Sequence, residues 1–324
     1  MPGAVSSRSS PLPGFGLTLG ITILWLSLIV LIPLSAVFLK SASQGLNDFW
    51  TAAGSPRAMA AYRLSFGAAA LGAAINCVFG LLVTWVLVRY RFPGRRLLSA
   101  LIDLPFALPT AVAGIALTAL YADTGLIGRI LEPAGLPVAY KPAGVVVALT
   151  FIGLPFVVRT VEPVLAEVSS EMEEAALTLG ATRLQTFFRV ILPTIAPALA
   201  TGFALAFARG AGEYGSVIFI AGNMPFQSEI APLLIITQLE QYDYEGAAAI
   251  AVVMLMISFT MLLIINRIQE YRRRRTIAAT AGGFCSASIA SCGVSGFWVG
   301  LPNSDKYSIA HTILAIILLH CLMK

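Results

Sequence analysis

Six stretches of this chain are long and apolar enough to cross a bilayer: Leu17–Leu39, Leu64–Val88, Leu97–Tyr121, Ala143–Leu165, Ile195–Ala221 and Ala247–Ile268. A crossing takes about 20 helical residues. No other feature narrows the possible folds so far. Only 11% of the 324 residues are charged and the mean hydropathy is +0.85, whereas about a quarter of a soluble domain is charged. Such a chain cannot cover itself with polar surface, so lipid is its outer solvent. The expected fold class is an all-α membrane protein with six transmembrane helices. The first run is too long for the apolar core of a signal peptide, and no small-residue cleavage site follows it, so it reads as a retained helix.

The net charge of +5 is concentrated in arginine clusters. That pattern speaks for membrane orientation and against nucleic-acid binding. The second run is followed by "RYRFPGRR", with Arg89, Arg91, Arg95 and Arg96, and the sixth by "RIQEYRRRR", with Arg267 and Arg272–Arg275. Both belong on the cytoplasmic side. Six spans then put the N-terminus (residues 1–16) inside as well, together with the loop between the fourth and fifth runs. The loops Lys40–Arg63 and Ala122–Pro142 face outside.

That cytoplasmic loop, residues 169–193, holds the one polar-faced insert, "EEAALTLGATRLQTFFRVILP". Ser170 and Glu173 have capping-box spacing, which starts a helix. Met172, Ala175, Ala176 and Leu179 repeat at i, i+3, i+4, i+7 and make a narrow apolar face. Gly180 can take the left-handed conformation that ends it. Thr182 and Gln185 form a second capping box. Leu184, Phe187, Phe188 and Ile191 repeat the same spacing, and Pro193 is expected to close the second helix. Two short amphipathic helices at a glycine corner fit either an interfacial pair on the headgroups or a docking element for a cytoplasmic partner. Glu173 and Glu174 favour docking, because an anionic leaflet repels them.

The order Glu174-Ala175-Ala176, Gly180, Val190, Leu192-Pro193 resembles the EAA loop of ABC-importer permeases, with Val190 where that family usually has isoleucine. "RYRFPGRRLLSALIDLPFALPTAVAG", "GLPFVVRTVEPVL", "GEYGSVIFIAGNMP" and "MPFQSEIAPLLIITQLEQYDYEGAAAIA" resemble the sulfate/thiosulfate permeases, T-type above W-type, and share a layout with molybdate permeases. The resemblance covers about residues 13–275. It implies the type I importer (MetI-like) fold in a bacterial inner membrane. It also implies a second, W-type permease subunit, a dimer of ATPase subunits and a periplasmic anion-binding protein. By the same resemblance the loop is a coupling helix that docks in the ATPase, with Glu174, Ala175, Ala176, Gly180, Leu192 and Pro193 as its marks.

No GxxxxGK[ST] phosphate loop, Cys/His metal spacing or serine-nucleophile motif occurs. The chain is therefore expected to be no enzyme and to bind no cofactor, with ATP and Mg handled by the partner ATPase. A charge in the bilayer tends to face a bundle interior, a cavity or a partner. Arg209 and Glu213, at i, i+4 in the fifth run, either neutralise each other or help offset the charge of a passing dianion. Tyr214, Arg159, Asp103 at the head of the third run, and Pro105 and Pro109, which bend or break a helix, complete the candidate path or gate. Gly210, Gly212 and Gly215 around Glu213 indicate close approach.

Residues 276–324 lie beyond the resemblance: a small-residue stretch, then an Ile309–Met323 run of marginal length for a seventh span. Such a tail also fits an extension from a shifted reading frame. Cys285 and Cys292 suggest neither metal nor disulfide. The expected function is ATP-driven sulfate or thiosulfate import by alternating access. A related oxyanion permease stands as an alternative, and so does a gradient-driven carrier, which would call for inverted repeats and coupling carboxylates. A non-transport assembly factor would need neither the loop nor the intramembrane arginine.

Overall fold

In hydrocarbon an amide finds no water, so each apolar run closes its own hydrogen bonds as a helix. The computed structural model describes residues 15–43 and 45–287, and every regular element among them is helical. In chain order they are α1 (Phe15–Leu26), α2 (Ile32–Ser43), α3 (Leu46–Ala53), α4 (Pro56–Arg89), α5 (Arg95–Ala107), α6 (Thr110–Tyr121) and α7 (Gly128–Leu131). Then follow α8 (Pro142–Glu167), α9 (Ser170–Thr178), α10 (Arg183–Thr186), α11 (Leu192–Ala211), α12 (Val217–Ile220), α13 (Ala231–Glu240) and α14 (Tyr244–Ala287).

Two π-helical turns, Ser27–Leu31 and Phe187–Ile191, join α1 to α2 and α10 to α11. Each ends two residues before a proline, Pro33 or Pro193. Proline has no amide to bond back along the helix, and its ring crowds the carbonyl one turn earlier. The helix widens there and continues. Pro193 therefore does not close the second loop helix, as its spacing suggested: Arg183–Ala211 is one rod with a loosened turn.

The core is α4, α8 and α11. Gly72 of α4 lies against Leu149 and Thr150 of α8, and Gly80 lies against Val157, so these helices run parallel. Gly202 and Gly210 of α11 meet Val157 and Leu149 in the opposite order, so α11 is antiparallel to them. A Cβ on Gly202 would sit 2.9 Å from the Val157 Cα, so only glycine allows this approach. The Tyr62 hydroxyl donates to the Ile250 carbonyl (3.2 Å) and Gln269 Nε2 donates to the Ala200 carbonyl (2.9 Å), which lays α14 antiparallel to α11. Lys40 pairs with Glu245 at 3.0 Å, fixing the end of α2 beside the start of α14. Leu17, Ile21, Leu24 and Trp25 on α1 are exposed and leave an apolar face on the outside of the bundle.

Two predicted spans are revised. The third run is not one rod but is broken, as expected from Pro105 and Pro109: α5 and α6 meet at 114°. Pro105 sits inside α5, and the break falls at Leu108-Pro109, where both residues are extended. A residue before proline is pushed out of the helical region. Because α4 and α8 are parallel, residues 90–141 must still return the chain across the bundle once. The fifth run ends early, at Ala211. Gly210 is level with Ala69 and Leu149, so α11 stops inside the bundle and the chain continues as loop and α12, with Ser216, Val217 and Ile220 fully buried. The sequence reading also missed α13, whose Leu233 and Leu234 are buried. Residues 276–287 extend α14; Ile309–Met323, the question of a seventh span, and Cys292 lie outside the described residues.

Candidate functional site

The loop helix α9 starts from Ser169 as its N-cap, without a side-chain bond from that residue. The capping box expected at Ser170 and Glu173 rests on the Ser170 side chain, which lies outside the described residues. Its C-terminal end is fully specified. Gly180 has φ +82°, its N–H bonds the Leu177 carbonyl (2.9 Å), and the Ala181 N–H bonds the Ala176 carbonyl (3.0 Å). These are the two bonds of a Schellman motif, which needs a left-handed residue at the corner. The distance from Ala176 to Gly180 in the loop pattern is thus a backbone requirement. The second capping box does form: Gln185 N–H donates to Thr182 Oγ1 at 3.3 Å, and Thr182 N–H donates to Gln185 Oε1 at 2.9 Å.

The corner projects from the bundle. Glu174 and Ala175 are exposed and Ala176 is half-buried. Leu179 is 88% exposed and Leu184 70%, with Met172, Leu177 and Phe188 also open. Large apolar side chains grouped on a helical corner mark an interaction surface. The corner is rooted by Thr186 and Ile191, both buried, and by Phe187 edge-on to Trp85 of α4 at 5.5 Å. Leu192 is half-buried against the core and Pro193 is exposed. Neither lies on α9: both sit past the loosened turn, at the root of α11. Glu173 is bonded by Arg89, the last residue of α4, so the "RYRFPGRR" loop and the corner share one end of the molecule.

The charged candidates form two separate clusters. Arg209 and Glu213 pair on one another, and Glu213, 3% exposed, also accepts from the Ser216 amide (3.1 Å) and hydroxyl (3.2 Å). Their place differs from the mid-span position expected: Arg209 is in the last turn of α11 and Glu213 lies in the loop beyond it. Tyr214 packs half-buried on the core. Gly215 explains part of the glycine cluster, since a Cβ there would meet Thr110 Oγ1 of α6 at 2.3 Å. In the other cluster, Arg159 of α8 binds both Asp103 oxygens, the Ser99 hydroxyl (2.8 Å) and Glu162 (2.6 Å). One cation thus faces two carboxylates, leaving the group net negative. The clusters lie about 15 Å apart along α8, at 1.5 Å per residue between the levels of Leu149 and Arg159. Both intramembrane arginines are already charge-compensated by the chain itself.

Three features were invisible in the sequence. Arg57 holds Glu229 with two bonds, 2.8 and 2.7 Å, and Glu229 is buried. Asn76, fully buried, donates to the Thr150 carbonyl at 3.0 Å between α4 and α8. Arg89 bonds Glu173. Each joins residues far apart in the chain, and no local spacing announces them.

Residues 76–277 match the model of the family "Binding-protein-dependent transport system inner membrane component". The "Sulfate transport system permease protein CysT" of Synechocystis sp. is 51% identical over 254 residues, 78% of this chain and 89% of that protein. The protein of the same description from Salmonella typhimurium is 49% identical over 274 residues, 85% of this chain and 99% of its own length. Among solved structures, a bacterial ABC transporter for import of the acidic polysaccharide alginate superposes with a TM-score of 0.65 at 16% identity, over 79% of this chain and 94% of that one. At that identity the likeness speaks for the fold.

Proposed function

The chain belongs to the family of binding-protein-dependent transport system inner membrane components, and on that premise we propose that it is the T-type membrane subunit of an ATP-driven sulfate importer. It is a multi-pass protein of the inner membrane. The observation that carries the reading is the projecting corner at Glu174-Ala175-Ala176…Gly180, apolar, exposed and locked by its own backbone. A transporter whose energy comes from a separate subunit needs a rigid element for that subunit to grip.

The Arg89 end of the bundle, with its arginines, lies in the cytoplasm, and so does the N-terminus. There α9 of this chain and its counterpart in a W-type partner subunit dock on a pair of ATPases, which bind ATP and Mg. A periplasmic protein delivers sulfate or thiosulfate at the opposite end, near Arg57 and Glu229. Closure of the ATPases draws the two corners together and opens the bundle outward; hydrolysis reverses it. Arg209, Asp103 and Arg159 lie along the bundle as candidates for the path or its gate. Because Arg209 is held by Glu213, a passing dianion would meet a compensated pair and its dipole rather than a bare cation.

The test is reconstitution. The chain is co-purified with its permease and ATPase partners and the binding protein, and labelled sulfate uptake is measured in proteoliposomes. ATP-dependent uptake is expected. Equal uptake without nucleotide would overturn the reading in favour of a gradient-driven carrier.

A further inference from the structure

Glu173 and Glu174 are neighbours in the sequence with different surroundings. Glu174 is exposed. Glu173 is turned back onto the chain, where the Arg89 guanidinium donates to its Oε1 with both side chains partly buried, 22% and 29% exposed. The same guanidinium lies 5.5 Å over the ring of Trp85, one turn earlier on α4. Trp85 in turn meets Phe187, the first residue of the π-helical turn, edge-on at 5.5 Å. The end of α4 therefore holds the corner at two points, one on each side of Gly180: Glu173 on α9 and Phe187 beyond α10.

We infer that Arg89 and Glu173 form a strut that passes movement of the docking corner to α4, with Arg89 as a positioning residue for coupling. This rests on the function proposed above. A corner hinged only at the extended Val168 and at the loosened turn before Pro193 could swivel without moving the bundle. The clamp forbids that. α4 is an unbroken rod of 34 residues, about 51 Å at 1.5 Å per residue. At its far end Arg57 grips Glu229, which precedes α13. A displacement at Glu173 is thus delivered to the opposite face of the membrane, where the anion enters. The adjacent carboxylates divide the work: Glu174 meets the ATPase and Glu173 ties the chain to itself.

The test uses the whole complex in proteoliposomes with Arg89→Gln, Glu173→Gln and the double variant, reading ATP hydrolysed per sulfate imported and the yield of assembled complex. Each single change is expected to raise the ratio about threefold, a size open to a partly exposed pair. The double variant should do no worse than either single, because both remove one interaction. An unchanged ratio, or losses that add in the double variant, would overturn the strut. If a single variant fails to assemble, the reversed pair Arg89→Glu with Glu173→Arg decides: recovered coupling supports the strut, and failure overturns it. Absence of ATP-driven uptake by the wild-type complex would instead refute the importer reading.

Discussion

Arg209 and Glu213 stand where a lone charge is costly. Glu213 is buried and fully bonded, so Arg209→Met would strand a carboxylate at a cost of about 3–5 kcal/mol. Assembled protein in the membrane should fall sharply. Replacing both, as Arg209→Met with Glu213→Leu, should restore it, since an apolar pair of similar volume is tolerated. Measuring assembly and uptake together separates the roles: restored assembly with restored uptake marks a structural pair, and restored assembly without uptake places the pair on the path. The i, i+4 spacing made this partnership legible in the sequence. Arg159 was legible only in part, because its bond to Glu162 is local while Asp103 comes from another helix 56 positions away.

Among elements, the corner is the part most completely written in the chain. Its Schellman bonds, left-handed glycine and second capping box follow from neighbours within five residues of each other. Gly180→Pro cannot adopt φ +82°, because proline is held near −65°. It should abolish docking of the ATPase, read by co-purification, while the protein still inserts. Glu174→Lys should weaken docking without disturbing the corner, since its side chain is exposed. Transport at the wild-type rate in either variant, with normal assembly, would remove the corner from the mechanism. Elements set by longer-range packing were read less well. Pro193 looked like a stop and is a loosened turn within a rod, because core contacts at Ile191 and Ile195 keep the helix going where a proline alone would end it.

For the whole molecule, the parallel run of α4 and α8 requires the bent pair α5–α6 and its following loop to make one net crossing, so both described ends of the chain emerge at the Arg89 face. Single cysteines at Arg95 and at Gly135 should therefore label from opposite sides of intact cells or inverted vesicles; labelling from the same side would refute six crossings. The sequence by itself determined the apolar solvent of this protein, its helical class and the glycine-cornered helices of the loop, because hydrophobic length and turn stereochemistry act over a few residues. Only tertiary structure decided that α11 stops inside the bundle, and that Arg89 reaches Glu173 and Arg57 reaches Glu229. Those outcomes depend on how closely glycines let distant helices approach and on which opposite charges then fall within bonding distance, and neither can be read along the chain.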